Sequence, residues 1–401
     1  MSMKIVVQKF GGTSVSTKER RKSVIKNIKE AIKKGFSPVV VVSAMGRKGE
    51  PYATDTLLSL VTEGFKEENK LATDLLMCTG EIISTVVMSN DLLEEGIEAI
   101  PLTGGQAGLL TTDKFNDSRV LEVDTKLILE QLENGKIPVI AGFQGATKEG
   151  YFTTLGRGGS DTSAAIIGAA LKAEKVEIYT DVDGIMTADT RIVKKASLID
   201  EISYNEVFQL AEQGAKVIHP RAVEVAMKAG IPLIIKNTLV ECKGTVIKAT
   251  VDESKKGIIS GITHMKDRIQ VTVEDSTGHW DKLFNEIAAN NISLDLINIF
   301  PSRSIFTIDM KDQKKIEEIL ENENLEYNIV ESCSKISIIG SRMRGVPGVM
   351  AKIIAILSDN EVEVLQTADS HMTIWCLVRD CDLIKAINCL HREFNLDREE
   401  F

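Results

Sequence analysis

The chain has 401 residues, 43% hydrophobic and 26% charged, with a net charge of −10 at neutral pH, enough for two or three domains with sizeable cores. The acidic balance argues against nucleic-acid and membrane-surface roles, which need basic patches. Six cysteines (Cys78, Cys242, Cys333, Cys376, Cys381 and Cys389) form no C-x-x-C pair and no zinc-finger spacing. With no signal-peptide pattern at the N-terminus and no apolar run long enough to span a bilayer, a reducing cytoplasm is the expected setting.

Strands are predicted at Lys4–Gln8, Pro38–Ser43, Ile97–Leu102, Ile137–Ala141, Val176–Asp181 and Pro232–Lys236. Amphipathic helices fall between them at Lys18–Lys34, Lys70–Asn90, Asp124–Asn134, Asp161–Lys172 and Asn205–Ala229. This alternation implies βαβ crossovers, an α/β fold and a mostly parallel sheet with helices on both faces. Glycine-containing loops fall at strand C-terminal ends, at Gly11-Gly12, Ser43-Ala44-Met45-Gly46, Gly104-Gly105 and Gly142–Gly145. Open α/β sheets bind ligands at that edge. The expected catalytic domain is 1–250, with a polar linker at 251–257.

Beyond the linker the pattern changes. Strand 268–275, helix 279–290, strands 294–299 and 303–309, helix 312–322 and strand 327–330 read βαββαβ, the ferredoxin-like order. The order restarts with strand 335–340, helix 347–358, strands 362–367 and 372–378, and helix 381–394. Two modules are expected, 258–331 and 332–401. The second lacks a last strand, which Ile258–Thr263 is placed to supply.

Four constellations carry chemistry. In Thr153–Ser163, Arg157 sits among Gly156, Gly158 and Gly159, and Ser160 or Asp161 caps the helix that follows. Close-approaching backbone N–H groups, a helix N-terminus and a planar guanidinium fork make an anion site. After the first strand, Lys9-Phe10-Gly11-Gly12-Thr13 puts a point charge beside N–H groups exposed by two glycines, suited to a transferring phosphoryl group. It is not a Walker loop, nor a dinucleotide G-x-G-x-x-G. In Thr180-Asp181-Val182-Asp183-Gly184, Asp181 closes an apolar strand where it can orient Lys9, and Asp183 reads as a turn cap. Glu81 lies in an apolar helical stretch and needs a cationic partner, either a substrate ammonium or a lysine. Lys216 is either a phosphate ligand or an exposed lysine. His219, before Pro220, has no metal-ligand spacing and reads as structural.

Together these motifs resemble the aspartokinases. KFGGTS, VVSAMG, the Gly80-Glu81 pair, AGFQG, TTLGRGGSDTS, YTDVDGI and GAKVIHP occur in that order, and the resemblance runs the length of the chain. QKFGGTSV, VVVVSAMGRKG with PYATD, and QTADSHMTIW resemble in particular the diaminopimelate-sensitive members of Bacillus-type bacteria. The resemblance implies an amino-acid kinase fold followed by two ACT modules, an ATP substrate accompanied by Mg²⁺, and phosphorylation of the L-aspartate β-carboxylate. It implies that Lys9 stabilises the transferring phosphoryl group, with Gly11, Gly12 and Thr13 along the phosphates. Ser43 would lie near the substrate, Glu81 would receive the aspartate ammonium, and Arg157 would clamp its carboxylate beside Ser160 and Asp161. Thr180, Asp181, Met186, Arg191, Lys216 and Val217 would form the nucleotide side. Met186 stands where many relatives carry tyrosine, and Asp189-Thr190-Arg191 where many carry Asp-Pro-Arg, which leaves that loop less rigid. The metal ligands are not assigned; Asp161 and Asp181 are the nearest acidic candidates.

The ACT resemblance implies a homodimer or larger homo-oligomer and feedback by an end-product amino acid, lysine or diaminopimelate first. Asp275, Gly278, Val346, Gln366 and Ser370 are the expected effector contacts. The rival readings are a kinase of glutamate, acetylglutamate or uridylate, and an amino-acid sensor without catalysis. Lys9, Asp181 and Arg157 together argue against the sensor.

Overall fold

The structure, a computed structural model, describes residues 3–397 except 216, 252–256, 276–279, 342, 344 and 345. The chain divides into two compact units. The first comprises Met1–Ile185, Leu198–Ala211 and Lys216–Val251; the second comprises Met186–Ser197, Glu212–Ala215 and Asp252–Phe401. The N-terminal half is therefore not one uninterrupted domain over 1–250. Two of its short stretches belong to the C-terminal unit.

The first unit is built on an eight-stranded sheet. Its order is Glu201–Ser203, Thr245–Lys248, Leu233–Asn237, Lys175–Thr180, Ile5–Phe10, Ser37–Val42, Ile137–Ala141, Ala99–Leu102. Every neighbouring pair is parallel except Leu233–Asn237 with Thr245–Lys248. The central strands are covered on both faces, so they read as near-continuous apolar runs. Ser37–Val42 is SPVVVV with five of its six residues buried, the signature of a parallel strand inside a helix sandwich. Helix Lys18–Lys33 is capped by Thr17, whose hydroxyl accepts from Arg20 N. It turns Val24, Ile25, Ile28 and Ala31 into the core, the 3.6-residue stripe of an amphipathic helix.

Several features escaped the sequence reading, the main-sheet strands Glu201–Ser203 and Thr245–Lys248 among them. A four-stranded sheet (Val120–Val123, Leu109–Thr111, Gln144–Ala146, Phe152–Thr154) is made of strands too short to show alternation. The helix expected over Asn205–Ala229 is two helices, Tyr204–Glu212 and Pro220–Ala229. The chain breaks between them at Gly214, where φ is +111, and Pro220 can only open the next helix. Helix Lys70–Glu94 does have the length and apolarity of a membrane span, contrary to the expectation that no run would. It is a core helix: half of that window is buried, and Asp74, Glu81 and Asp91 are buried along it. Asp91 pairs with Arg21 at 2.6 Å. Asp74 accepts from Asn116 N, Thr154 N and Thr154 Oγ1.

The second unit carries one antiparallel six-stranded sheet, ordered Asp295–Ile299, Arg303–Asp309, Gly261–Glu274, Glu326–Ile339, Thr373–Arg379, Gln366–Asp369. Helices Trp280–Ala289 and Gln313–Asn322 bury Leu283, Ile287, Ile316 and Leu320 against Ile269, Val271 and Val273. Helices Val349–Asp359 and Leu383–Glu393 do the same against Ile262, Ile336 and Ile338. The two ferredoxin-like halves share their central strands. Gly261–Met265 pairs with Lys335–Ile339, and Gln270–Glu274 pairs with Glu326–Val330. What reads in sequence as four strands is thus two strands of 14 residues each. Irregularities between them, with Asp267 at φ +57 and Ser332 at φ +53, bend the pair without ending it. On the helix-free face, buried Lys335 pairs with Asp295.

Candidate functional site

The C-terminal ends of Ile5–Phe10, Ser37–Val42 and Lys175–Thr180 lie side by side, because the three strands are adjacent and parallel. Their loops are knit together. Gly11 N donates to Tyr179 O at 3.3 Å, Ser43 N to Phe10 O at 3.2 Å, and Gly46 N to Gly12 O at 3.0 Å. A Cβ on Gly12 would lie 2.5 Å from Ala44 O and 2.9 Å from Gly46 O, so only glycine lets the two loops approach this closely. Thr13 and Ser43 are half-buried beside this junction.

Lys9 reaches across the end of its strand to Asp161, Nζ to Oδ1 2.6 Å, with both side chains mostly buried. Asp161 lies in the first turn of helix Gly159–Ala170. The carboxylate that orients Lys9 is therefore Asp161, and Asp181 does not take that role. Asp181 Oδ1 accepts from Thr180 Oγ1 at 3.3 Å, and its Oδ2 accepts from Arg47 at 2.6 Å. Asp183 accepts from Asn237 Nδ2 at 2.7 Å and holds a turn.

Glu81 is 2% exposed on helix Lys70–Glu94. Its Oε1 accepts from Ala44 N at 3.1 Å, and its Oε2 is buried with no partner among the described residues. Burial pushes its pKa up to about 8, opposed by the Ala44 N–H. Of the two partners the sequence left open, no lysine among the described residues pairs with it, which leaves the substrate ammonium.

Arg157 is exposed between Gly156 at φ +72 and Gly158 at φ +68. A Cβ on Gly158 would fall 2.1 Å from the His219 ring. His219 Nδ1 accepts from Arg221 N at 3.3 Å and caps helix Pro220–Ala229. Burial lowers the His219 pKa, with the Arg221 charge acting the same way, so its ring is neutral near pH 7. Arg221 donates to Leu155 O at 2.6 Å. His219 and Arg221 thus buttress the arginine loop. Ser160, half-buried, packs where Gly142 has no side chain; a Cβ there would lie 3.0 Å from its Oγ.

Lys9, Gly11, Gly12, Thr13, Ser43, Glu81, Arg157, Ser160, Thr180 and Asp181 all belong to the first unit, as does half-buried Val217. Met186 and Arg191 do not; they lie in the stretch Met186–Ser197 of the second unit. There Arg191 grips Asp189, Nε to Oδ1 3.0 Å and Nη2 to Oδ2 2.7 Å. Lys216 and Gly278 fall outside the described residues. Among the described residues no group of three or more His, Cys, Asp or Glu could hold a metal ion.

The remaining expected effector contacts are dispersed in the second unit. Asp275 N donates to Ser302 O at 3.0 Å at one end of the sheet. Val346 is exposed. Ser370 Oγ accepts from Thr373 N at 3.2 Å in a turn. Gln366 points inward, donating to Asn298 Oδ1 at 2.6 Å and accepting from Gln270 at 3.0 Å. Sequence reasoning missed Arg47 and Arg221; the only signal for Arg47 was its place three residues beyond Ala44 in a glycine-containing loop.

The model of the amino acid kinase family matches residues 4–237, and that of the ACT domain matches residues 328–392. Aspartokinase 1 of Bacillus subtilis is 45% identical over 99% of this chain and 100% of its own length. The aspartokinase of Geobacillus stearothermophilus is 38% identical over 99% and 98%. Among solved structures, Clostridium acetobutylicum aspartate kinase superposes with a TM-score of 0.76 at 25% identity, covering 98% of this chain and 100% of that one. Escherichia coli aspartokinase III, solved with aspartate and ADP, shares the fold with a TM-score of 0.76 at 24% identity, over 97% and 99%. The chain belongs to the aspartokinase family, phosphotransferases that act on a carboxyl group of aspartate.

Proposed function

We propose that the edge around Lys9 and Glu81 transfers the γ-phosphoryl group of ATP to the β-carboxylate of L-aspartate, giving 4-phospho-L-aspartate. The observation that carries the substrate assignment is the buried Glu81 oxygen with no partner among the described residues, set behind the Ser43–Ala44 loop. It is suited to an ammonium group. Arg157 supplies a bidentate fork for the α-carboxylate. The β-carboxylate is ionised at neutral pH, so no general base is needed, and catalysis rests on positioning and charge stabilisation. Lys9, held by Asp161, stands where negative charge develops. Thr180 and Asp181 face the nucleotide, with Gly11, Gly12 and Thr13 along its phosphates. A Mg²⁺ ion would travel with the ATP phosphates, with Asp161 and Asp181 the nearest carboxylates, and would offset charge building on the phosphoryl oxygens.

A feedback amino acid, lysine or diaminopimelate, acts through the second unit, and the chain works as a homodimer or larger oligomer. The six free thiols suit a reducing cytoplasm. The reaction is tested by aspartate-dependent ADP release from the intact enzyme. Lys9→Met should lower kcat by about 10²–10³, the usual cost of removing one preorganised charge, with the circular-dichroism spectrum unchanged. Near-normal kcat in this variant would remove Lys9 from the mechanism.

A further inference from the structure

We propose that Arg47 is a second phosphate-binding cation of the catalytic edge, held ready by Asp181 until a nucleotide's phosphates displace that carboxylate. The inference rests on the kinase reading above. Arg47 comes from the loop after Ser37–Val42, and Asp181 follows Lys175–Thr180; the strand that carries Lys9 and Gly11-Gly12 lies between them. To meet Asp181 at 2.6 Å, the guanidinium spans the end of that central strand, beside the glycine turn.

The loop backbone is fixed while the side chain is not. Gly46 N is tied to Gly12 O, Arg47 N donates to Glu50 Oε2 at 2.5 Å, and Gly12 has no room beyond its hydrogen. The Arg47 and Asp181 side chains, by contrast, are 69% and 47% exposed. An ion pair this open binds its partners weakly. A polyphosphate carries more charge than one carboxylate and matches the guanidinium fork in two places. Lys9 is already committed to Asp161 in a mostly buried pair. Of Lys9 and Arg47, Arg47 is the one whose present partner is lost most cheaply.

The experiment uses the full chain. Dissociation constants for ADP and AMP are measured by titration calorimetry at fixed magnesium, for the wild type, Arg47→Lys and Arg47→Gln, beside steady-state kinetics. Arg47→Gln should weaken ADP binding at least tenfold and leave AMP, which lacks the outer phosphates, within about twofold. The apparent constant for aspartate should stay within about twofold, and Arg47→Lys should fall between. Melting temperatures check that this exposed substitution leaves the fold intact. Wild-type ADP affinity in Arg47→Gln overturns the proposal. So does equal weakening of ADP and AMP, or a change confined to aspartate, which would place Arg47 on the amino-acid side. These outcomes are read in nucleotide binding. Failure of the kinase reading would show separately, as a wild-type enzyme that releases no ADP when aspartate is added.

Discussion

Individual side chains at the site are set by burial as much as by sequence. Glu81 ionises with difficulty because its surroundings exclude water, which places its pKa at about 8. Its contribution to the stability of the ligand-free fold is present in full below the ordinary carboxyl pKa and is lost as pH rises through about 8. If Glu81 receives the aspartate ammonium, binding reverses the balance, since an ammonium partner favours the carboxylate. At pH 7 aspartate should therefore expel close to one proton per site, and its apparent affinity should rise about tenfold per pH unit until pH 8, then level. Calorimetry in buffers of different ionisation enthalpy measures this directly; no proton release in the wild type, or unchanged release in Glu81→Gln, contradicts the assignment. Arg157 makes a second residue-scale prediction. Arg157→Lys keeps the charge and loses the fork, so kcat/KM for aspartate should drop at least about tenfold, the worth of one charge-assisted hydrogen bond. A change in the ATP constant alone would move Arg157 to the nucleotide side.

At the scale of elements, the site depends on where a loop may touch a neighbour. The arginine loop enters helix Gly159–Ala170 through Gly158, whose φ of +68 and contact with the His219 ring both demand glycine. Gly158→Ala adds left-handed strain and overpacking, together about 2–4 kcal/mol, which should lower the melting temperature by roughly 5–15 °C and weaken aspartate binding. Gly150→Ala is the control. Its φ is +87 but nothing among the described residues lies within 4 Å of the added carbon, so only the strain, about 1 kcal/mol, should appear. Equal losses in the two variants would mean that the His219 contact carries no weight. Six of the eight strands of the main sheet were legible to within two residues, since apolar β-branched runs such as Val39–Val42 have one comfortable conformation; the short edge strands Glu201–Ser203 and Thr245–Lys248 were missed. The short strands of the four-stranded sheet were not legible either, because three or four residues carry no period.

At the scale of the whole molecule, the second unit takes chain from the middle of the first. Ala188 and Val193 are buried among Ile259, Ile353, Leu357 and Leu390, and Thr187 Oγ1 bonds His391 Nε2 at 2.9 Å. Truncation before residue 252 would strip these residues of their core, so a truncated enzyme is a poor probe of feedback. Asp275→Ala is cleaner. If Asp275 holds the effector ammonium, this variant should need at least about tenfold more lysine, threonine or diaminopimelate for half-inhibition, within the usual range of allosteric coupling. An intact enzyme that ignores all three, singly and in pairs, would leave the sheet without a regulatory role. Wild-type inhibition of Asp275→Ala would remove that residue from the effector site.

By itself the sequence determined the α/β class, the doubled βαββαβ pattern, the segments that carry Lys9, Glu81, Arg157 and Asp181, and, through its motifs, the resemblance to the family. All of these rest on periodicity within a segment or on residues adjacent in the chain. Only the tertiary structure decided the partners: Asp161 for Lys9, Arg47 for Asp181, His219 beneath Gly158, and no cation among the described residues for Glu81. It also decided that the two ferredoxin-like halves share their central strands, and that Met186–Ser197 belongs with them. These are contacts between residues far apart in the chain, fixed by strand order and burial, and no local pattern encodes which distant neighbour a side chain will meet.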